Sequence, residues 1–132
     1  KYKNHCYIMR DEEVPWFEAS VLCTQSGANL VSIRDHNENE FITKLIYLAP
    51  SEHVWIGLND VHNNEILWTD GSRVSYTNWA PGEPNNHKNW LWSPAEKCGS
   101  MYSKSGPVRG LPGQWNDDKC RFKFRFICKK PI

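Results

Sequence analysis

Five oxygen-bearing side chains in the second half of the chain are of the types that bind hard cations. Glu83 and Asn85 flank a proline, Glu96 lies two residues before a cysteine, and Asn116 and Asp117 follow a tryptophan. Calcium takes roughly six to eight oxygen ligands from carboxylates, amides and waters. Taken singly, each residue is typical of a solvated loop, and a proline between polar residues is typical of an ordinary turn. Taken together, they predict one calcium site.

The length and charge of the chain limit the classes of protein to which it belongs. Its 132 residues are typical of one domain, and we expect residues 1–132 to form a single one. Sixteen basic and fifteen acidic residues leave a net charge of +1, which gives no support for a nucleic-acid partner. The sequence has no membrane-spanning apolar run and no apolar leader at its start. We therefore expect a soluble chain that is already processed or excised from a larger protein, with any membrane segment outside these residues.

Five cysteines, at positions 6, 23, 98, 120 and 128, favour disulfides in an oxidising compartment over a zinc site, because none of them form a CxxC pair. Counting alone leaves the connectivity open and one cysteine over. Because Cys6 lies so close to the start of the chain, we expect its partner to precede Lys1.

The first part of the chain has helical spacing. Apolar residues predict a first helix that begins at Trp16 and includes Cys23, and Asn29–Ile33 is typical of a short strand. Asp35 fits a helix cap, with the carboxylate of Glu38 reaching back to it. A second helix is lined by Phe41, Ile42, Leu45, Ile46 and Leu48, and Pro50 ends it.

From Val54 onward the helical period is replaced by short strands and long loops. Strands are predicted at Val54–Leu58, Leu67–Thr69 and Ser75–Tyr76, and around the alternating phenylalanines Phe122, Phe124 and Phe126. The stretches 78–96 and 103–114 have no clear periodicity, which in a compact domain indicates functional or mobile loops. The predicted class is α+β, with two helices packed on mostly antiparallel sheets and long loops.

The order of these elements resembles the C-type lectin-like domain from Cys6 to Cys128. The helix residues Trp16, Ala19 and Cys23, the strand Trp55-Ile56-Gly57-Leu58 and the run Trp115-Asn116-Asp117 are similar to three of the family's motifs. The resemblance implies the bridges Cys23–Cys128 and Cys98–Cys120. It also implies that Cys6 belongs to an optional N-terminal hairpin bridge and is unpaired in this chain.

In the same frame, the resemblance implies the family's principal calcium site, with Glu83, Asn85, Glu96, Asn116 and Asp117 as ligands. These residues would bind both Ca²⁺ and two neighbouring sugar hydroxyls, and His87 matches a position that packs on the sugar ring. The EPN sequence resembles mannose-type sites, which take mannose, fucose, N-acetylglucosamine and glucose and disfavour galactose. The implied partners are glycans and glycoproteins, and the implied location is extracellular, in a secreted protein or a receptor.

The chain departs from its relatives at an auxiliary calcium site. Asp60 keeps one acidic position, but the others are Asn64 or Glu65, then Asn86 and Lys97. Because an ammonium supplies no oxygen and repels a cation, we expect the auxiliary site to be absent or weak.

Two other functions compete with sugar binding. Loop 87–95 carries Trp90 and Trp92, which could bind a protein partner or fold under the loop as a small core. A second unusual loop, at 103–114, carries Lys104 and Arg109, which could bind sulfated or phosphorylated ligands. An enzyme ranks lower, because the histidines show no HExxH spacing and no GxSxG is present.

Overall fold

The computed structural model describes residues 2–47, 53–61, 65–81, 97–103 and 111–132. Two helices and seven strands lie within these residues: β1 (His5–Val14), α1 (Trp16–Gln25), β2 (Asn29–Leu30), α2 (His36–Ile46), β3 (His53–Val61), β4 (Glu65–Trp68), β5 (Lys97–Tyr102), β6 (Trp115–Lys119) and β7 (Phe124–Pro131). Neither helix of this described part is long and apolar enough to cross a membrane. The architecture is the predicted α+β class.

The strands form one mixed sheet with the order β1-β7-β3-β5-β6. Strand β2 also pairs with β7, and β4 pairs with β3. All these pairings are antiparallel except that of β3 with β7, which is parallel. Strands β5 and β6 therefore form one edge of the sheet path, away from the two chain termini on β1 and β7.

Strand β3 is buried on both faces and separates two apolar clusters. Val54, Ile56 and Leu58 pack with α2 residues in one cluster, whereas Trp55 packs in the other with α1 residues and both disulfides. A Cβ at Gly57 would lie 2.8 Å from the backbone oxygens of Leu30 and Val31, so only glycine permits this close approach. The predicted strand is thus the centre of the core.

Two disulfides join distant parts of the chain. Cys23 pairs with Cys128, which ties α1 to β7, and Cys98 pairs with Cys120 beside β5 and β6. These are the bridges that the resemblance implies. Their sequence separations of 105 and 22 correspond to stabilisation of about 4.7 and about 3 kcal/mol through the entropy of the unfolded chain. Cys6 carries a free thiol.

A buried ionic network holds α2 against the sheet. The Glu38 carboxylate, 1 % exposed, accepts from the Tyr7 hydroxyl at 2.5 Å and from Lys129 Nζ at 2.6 Å. Lys129 also donates to the backbone oxygen of Ser32 at 3.1 Å. Burial, and then the bond to Glu38, raise the pKa of the Tyr7 hydroxyl.

Several local predictions need correction. The cap at Asp35 is present, since its carboxylate accepts from the Glu38 amide at 2.8 Å. Glu38 does not reach back to Asp35, however, but accepts from the amide of Arg34 at 2.9 Å, because its other oxygen is held by the buried network. The helix α2 itself ends at Ile46, and Leu48 and Pro50 lie outside the described residues.

Strand boundaries also differ from those expected. Ser75–Tyr76 is not a strand, because its backbone pairs with no other strand among the described residues. The Tyr76 ring instead packs against Trp115. The strand predicted at Asn29–Ile33 is limited to Asn29–Leu30. Strand β1 was not predicted, since its outward residues are charged and hide the alternation.

Candidate functional site

Strand β6 carries the two predicted site residues that the structure describes. Asn116 and Asp117 are adjacent on this strand and are 9 % and 7 % exposed. The remaining predicted residues lie outside the described part of the chain: Glu83, Asn85, His87 and Glu96. Their roles stay predictions.

Trp115 anchors the start of β6 in the core. Its indole is fully buried, and Nε1 donates to Asn39 Oδ1 on α2 at 2.9 Å. Asn39 in turn donates through Nδ2 to the backbone oxygen of Gly113 at 3.0 Å. Three aromatic rings meet the indole edge-on, those of Trp68, Tyr76 and Trp79. Because one hydrogen bond and three aromatic contacts hold the Trp115 indole, the backbone position of the adjacent Asn116 is also restricted.

The chain on both sides of residues 82–96 is attached to β6. On one side, the Trp115 amide donates to Asn78 O at 2.7 Å and the Ala80 amide donates to Trp115 O at 2.8 Å. On the other side, β5 pairs with β6 so that Cys98 lies opposite Asp118. The described residues on either side of 82–96 therefore lie beside β6, at Trp115 on one side and opposite Lys119 on the other.

Asp118 is the centre of a polar cluster on the same face of β6 as Asn116. Its Oδ2 accepts from Ser100 Oγ at 2.6 Å and from Asn116 Nδ2 at 3.1 Å, and it lies 3.3 Å from His53 Nδ1. Burial by itself raises the pKa of this carboxyl, but the hydrogen bonds from His53, Ser100 and Asn116 and the charge of His53 lower it overall. The carboxylate is therefore the stable form in this cluster.

The grouping of Ser100, His53 and Asp118 does not have the geometry of a catalytic triad. In a triad the imidazole bridges nucleophile and carboxylate through its two different nitrogens. Here Ser100 Oγ and Asp118 Oδ2 both lie near Nδ1, at 3.4 and 3.3 Å. Ser100 is also completely buried, so its hydroxyl is not presented to a substrate.

The two described side chains, Asn116 and Asp117, have oxygen atoms suitable as calcium ligands. An amide oxygen from Asn116 and a carboxylate from Asp117 are both hard ligands of the kind that this ion prefers. Within the described ranges, no three His, Cys, Asp or Glu side chains are grouped closely enough to hold a metal ion. A complete calcium shell would therefore need further oxygens from residues 82–96.

The prediction of a weak auxiliary site also stays a prediction. Asn64 and Asn86 lie outside the described residues, and so do the side chains of Asp60, Glu65 and Lys97. The same holds for loop 87–95 and for residues 104–110 of the second long loop.

Two residues of this region were missed by sequence reasoning. Asn39, in the polar first part of helix α2, accepts a hydrogen bond from Trp115, which lies 76 positions away in the sequence. Nothing in a single sequence indicates such a contact. Asp118 was detectable in principle, because residues two apart on a strand share a face. That signal requires a strand at Trp115–Lys119, which was not predicted.

Comparisons with known proteins identify the family. The family model "Lectin C-type domain" matches residues 12–130. The chain is 40 % identical over 130 residues to human C-type mannose receptor 2, covering 98 % of this chain and 8 % of that protein. It is 32 % identical to lectin BRA-3 of Megabalanus rosa, covering 100 % of this chain and 75 % of the relative. The chain thus spans a small part of the receptors and most of the smaller lectin.

Solved structures agree with the sequence matches. The C-type carbohydrate-recognition domain of cow CD23, solved in the presence of a GlcNAc2Man3 oligosaccharide, aligns with a TM-score of 0.79 and 28 % identity. The alignment covers 99 % of this chain and 91 % of the cow domain. Domains of this family are binding modules and not enzymes, as expected from the absence of catalytic motifs. The chain belongs to the C-type lectin domain family.

Proposed function

We propose that this domain binds mannose-type sugars through a calcium ion held by Glu83, Asn85, Glu96, Asn116 and Asp117. The observation that supports the proposal is the attachment to strand β6 of the described residues on either side of 82–96. Glu83 follows Ala80 by three residues, a length of chain that spans at most about 11 Å. Glu96 directly precedes β5. This chain connectivity supports the proposal that both glutamates lie near Asn116 and Asp117.

The proposed binding uses each side chain twice. A carboxylate has one oxygen for calcium and another that accepts from a sugar hydroxyl, and an amide ligates through oxygen while it donates through nitrogen. Two neighbouring hydroxyls of the sugar complete the metal shell. Because a monosaccharide touches little protein, we expect a dissociation constant on the order of 1 mM and useful avidity only from clustered sites.

The place of the domain in a larger protein is part of the proposal. Two disulfides favour an oxidising compartment, and the relatives include a receptor of which the chain covers 8 %. We therefore place residues 1–132 as one domain in an extracellular protein that contacts glycans or glycoproteins.

Calorimetry on protein stripped with EDTA tests the metal and the sugar separately. We expect one calcium per chain, then binding of methyl mannoside and not of methyl galactoside at saturating calcium. Asp117→Ala should lose both, whereas the control Asp11→Ala, whose side chain is 93 % exposed, should lose neither. Two calcium ions per chain would overturn the prediction of a weak auxiliary site.

Sugar binding that persists in EDTA, or the absence of calcium binding, would overturn the proposal. Calcium-independent binding to a polypeptide would instead favour the alternative, a protein-recognition module that uses loop 87–95. Substitution of Trp90 and Trp92 by alanine would then abolish that binding and leave any sugar binding intact.

A further inference from the structure

The cluster around Asp118 joins three neighbouring strands of the sheet. His53 comes from β3, Ser100 from β5, and Asn116 and Asp118 from β6. All three partners approach the same carboxylate oxygen, Oδ2, at distances between 2.6 and 3.3 Å. The side chain of Asp118 is 14 % exposed, and that of Ser100 is inaccessible to solvent. The position of the Asp118 carboxylate is therefore set by contacts from three strands.

The hydrogen bond to the Asp118 carboxylate determines the orientation of the Asn116 side-chain amide. Asn116 Nδ2 donates to Asp118 Oδ2 at 3.1 Å, so the amide directs its NH₂ group toward Asp118. Since Oδ1 and Nδ2 leave the same carbon in different directions, the amide oxygen then faces away from Asp118. The second N–H of the same group stays available to donate.

We propose that Asp118 is a positioning residue for the calcium site: its hydrogen bond with Asn116 holds the amide in the orientation that ligates the metal. The inference rests on the proposed function. With Asp118 in place, Oδ1 is presented to the cation and the second N–H to a sugar hydroxyl. Without it, the amide can rotate and direct an N–H toward the cation, where it would be repelled. Ser100 supports this role by holding the carboxylate from β5.

The test compares three substitutions in calcium titrations of the sugar-free protein. Partners that orient metal ligands typically contribute roughly 10–100-fold to metal affinity, so Asp118→Ala should weaken calcium binding by about that factor. Asp118→Asn keeps an oxygen that accepts from Asn116 and should recover most of the loss. The matched control is Asp70→Ala, because Asp70 also accepts from serine hydroxyls but lies on a turn after β4. It should leave calcium affinity unchanged.

A second readout separates orientation from folding. In the calcium-free protein, the side-chain NH₂ resonances of Asn116 should show the deshielding of a proton bonded to a carboxylate. Asp118→Ala should move them toward ordinary values, whereas a variant that only destabilises the fold would leave them in place. If Asp118→Ala does not fold, Ser100→Ala replaces it and should weaken calcium binding in the same direction.

Each result decides the matter. If the unmodified protein binds calcium and Asp118→Ala, or its replacement, binds it equally well, the positioning role is wrong and the proposed function stands. If Asp118→Asn is as weak as Asp118→Ala, the negative charge and not the hydrogen bond is what matters, and the positioning role is wrong. If the unmodified protein binds no calcium, the proposed function fails and the inference fails with it.

Discussion

Removing the charge of Glu38 is expected to lower the free energy of unfolding by about 3–5 kcal/mol, because it leaves the Lys129 ammonium buried without its counter-ion. The ammonium and carboxylate lie 2.6 Å apart, with side chains only 7 % and 2 % exposed. Glu38→Gln keeps the volume of the side chain, so no cavity contributes to the cost. Against a typical total stability of about 5–15 kcal/mol, this is a large fraction.

A double-mutant cycle isolates the interaction between the two charges. Lys129→Met should also be destabilising, because it removes the cation 2.6 Å from the buried carboxylate and leaves only the more distant Arg34 guanidinium, at 3.8 Å, as a charged partner. The double variant Glu38→Gln/Lys129→Met carries neither charge and should be no less stable than either single variant. The resulting coupling energy should reach about 2–3 kcal/mol, at the upper end of values for contacting residues.

The measurement is urea unfolding followed by far-ultraviolet circular dichroism, with disulfides intact and EDTA present so that metal binding does not contribute. The control is Glu40→Gln, on the same helix but with a side chain 56 % exposed, which should change stability by less than about 0.5 kcal/mol. Additive effects of the two single substitutions, or a loss below about 1 kcal/mol in Glu38→Gln, would contradict the reasoning.

Two further substitutions test the loops near the site and the acid sensitivity of the fold. Gly113→Ala should destabilise the protein by more than the roughly 1–3 kcal/mol of left-handed backbone strain, since φ is +88° and the new Cβ would lie 2.5 Å from Thr43 Oγ1. The control Gly27→Ala, at φ +78° with open space around it, should show the backbone strain alone. Equal losses of unfolding free energy in urea would refute the steric argument. The pKa of Asp70 is lowered, because hydrogen bonds from serine groups outweigh burial, so its contribution is present above the ordinary carboxyl pKa of about 3.9 and is lost as the pH falls below it. Asp70→Asn should therefore flatten the acid side of the stability curve, and an identical curve in both proteins would show that Asp70 contributes nothing.

Much of the fold could be predicted from local patterns. The spacing of Trp16, Ala19 and Cys23 gave the first helix, and the apolar run Val54–Leu58 gave the central strand. These patterns predict the elements because the buried face of a helix or strand places apolar residues at the spacing of that element. The cap at Asp35 is local for the same reason.

The site could be predicted only as a set of residue types. Glu83, Asn85, Glu96, Asn116 and Asp117 are suitable calcium ligands by chemistry, and the motifs around them indicate the family. Their arrangement was not predictable from spacing, because strands β5 and β6 were not recognised. Charged and polar residues at Lys97–Tyr102 and Trp115–Lys119 do not alternate with apolar ones, so the usual signal for a strand is missing.

The sequence by itself determined the class of the domain, its central strand and the chemistry available for binding. Only the tertiary structure decided that the residues on either side of 82–96 lie beside β6, that Asn39 holds Trp115, and that Asn116 donates to Asp118. Each of these contacts joins residues on different elements or depends on a strand without a local signal. The physical reason is that hydrogen-bond geometry between neighbouring strands is set by the pairing register, which no single segment encodes.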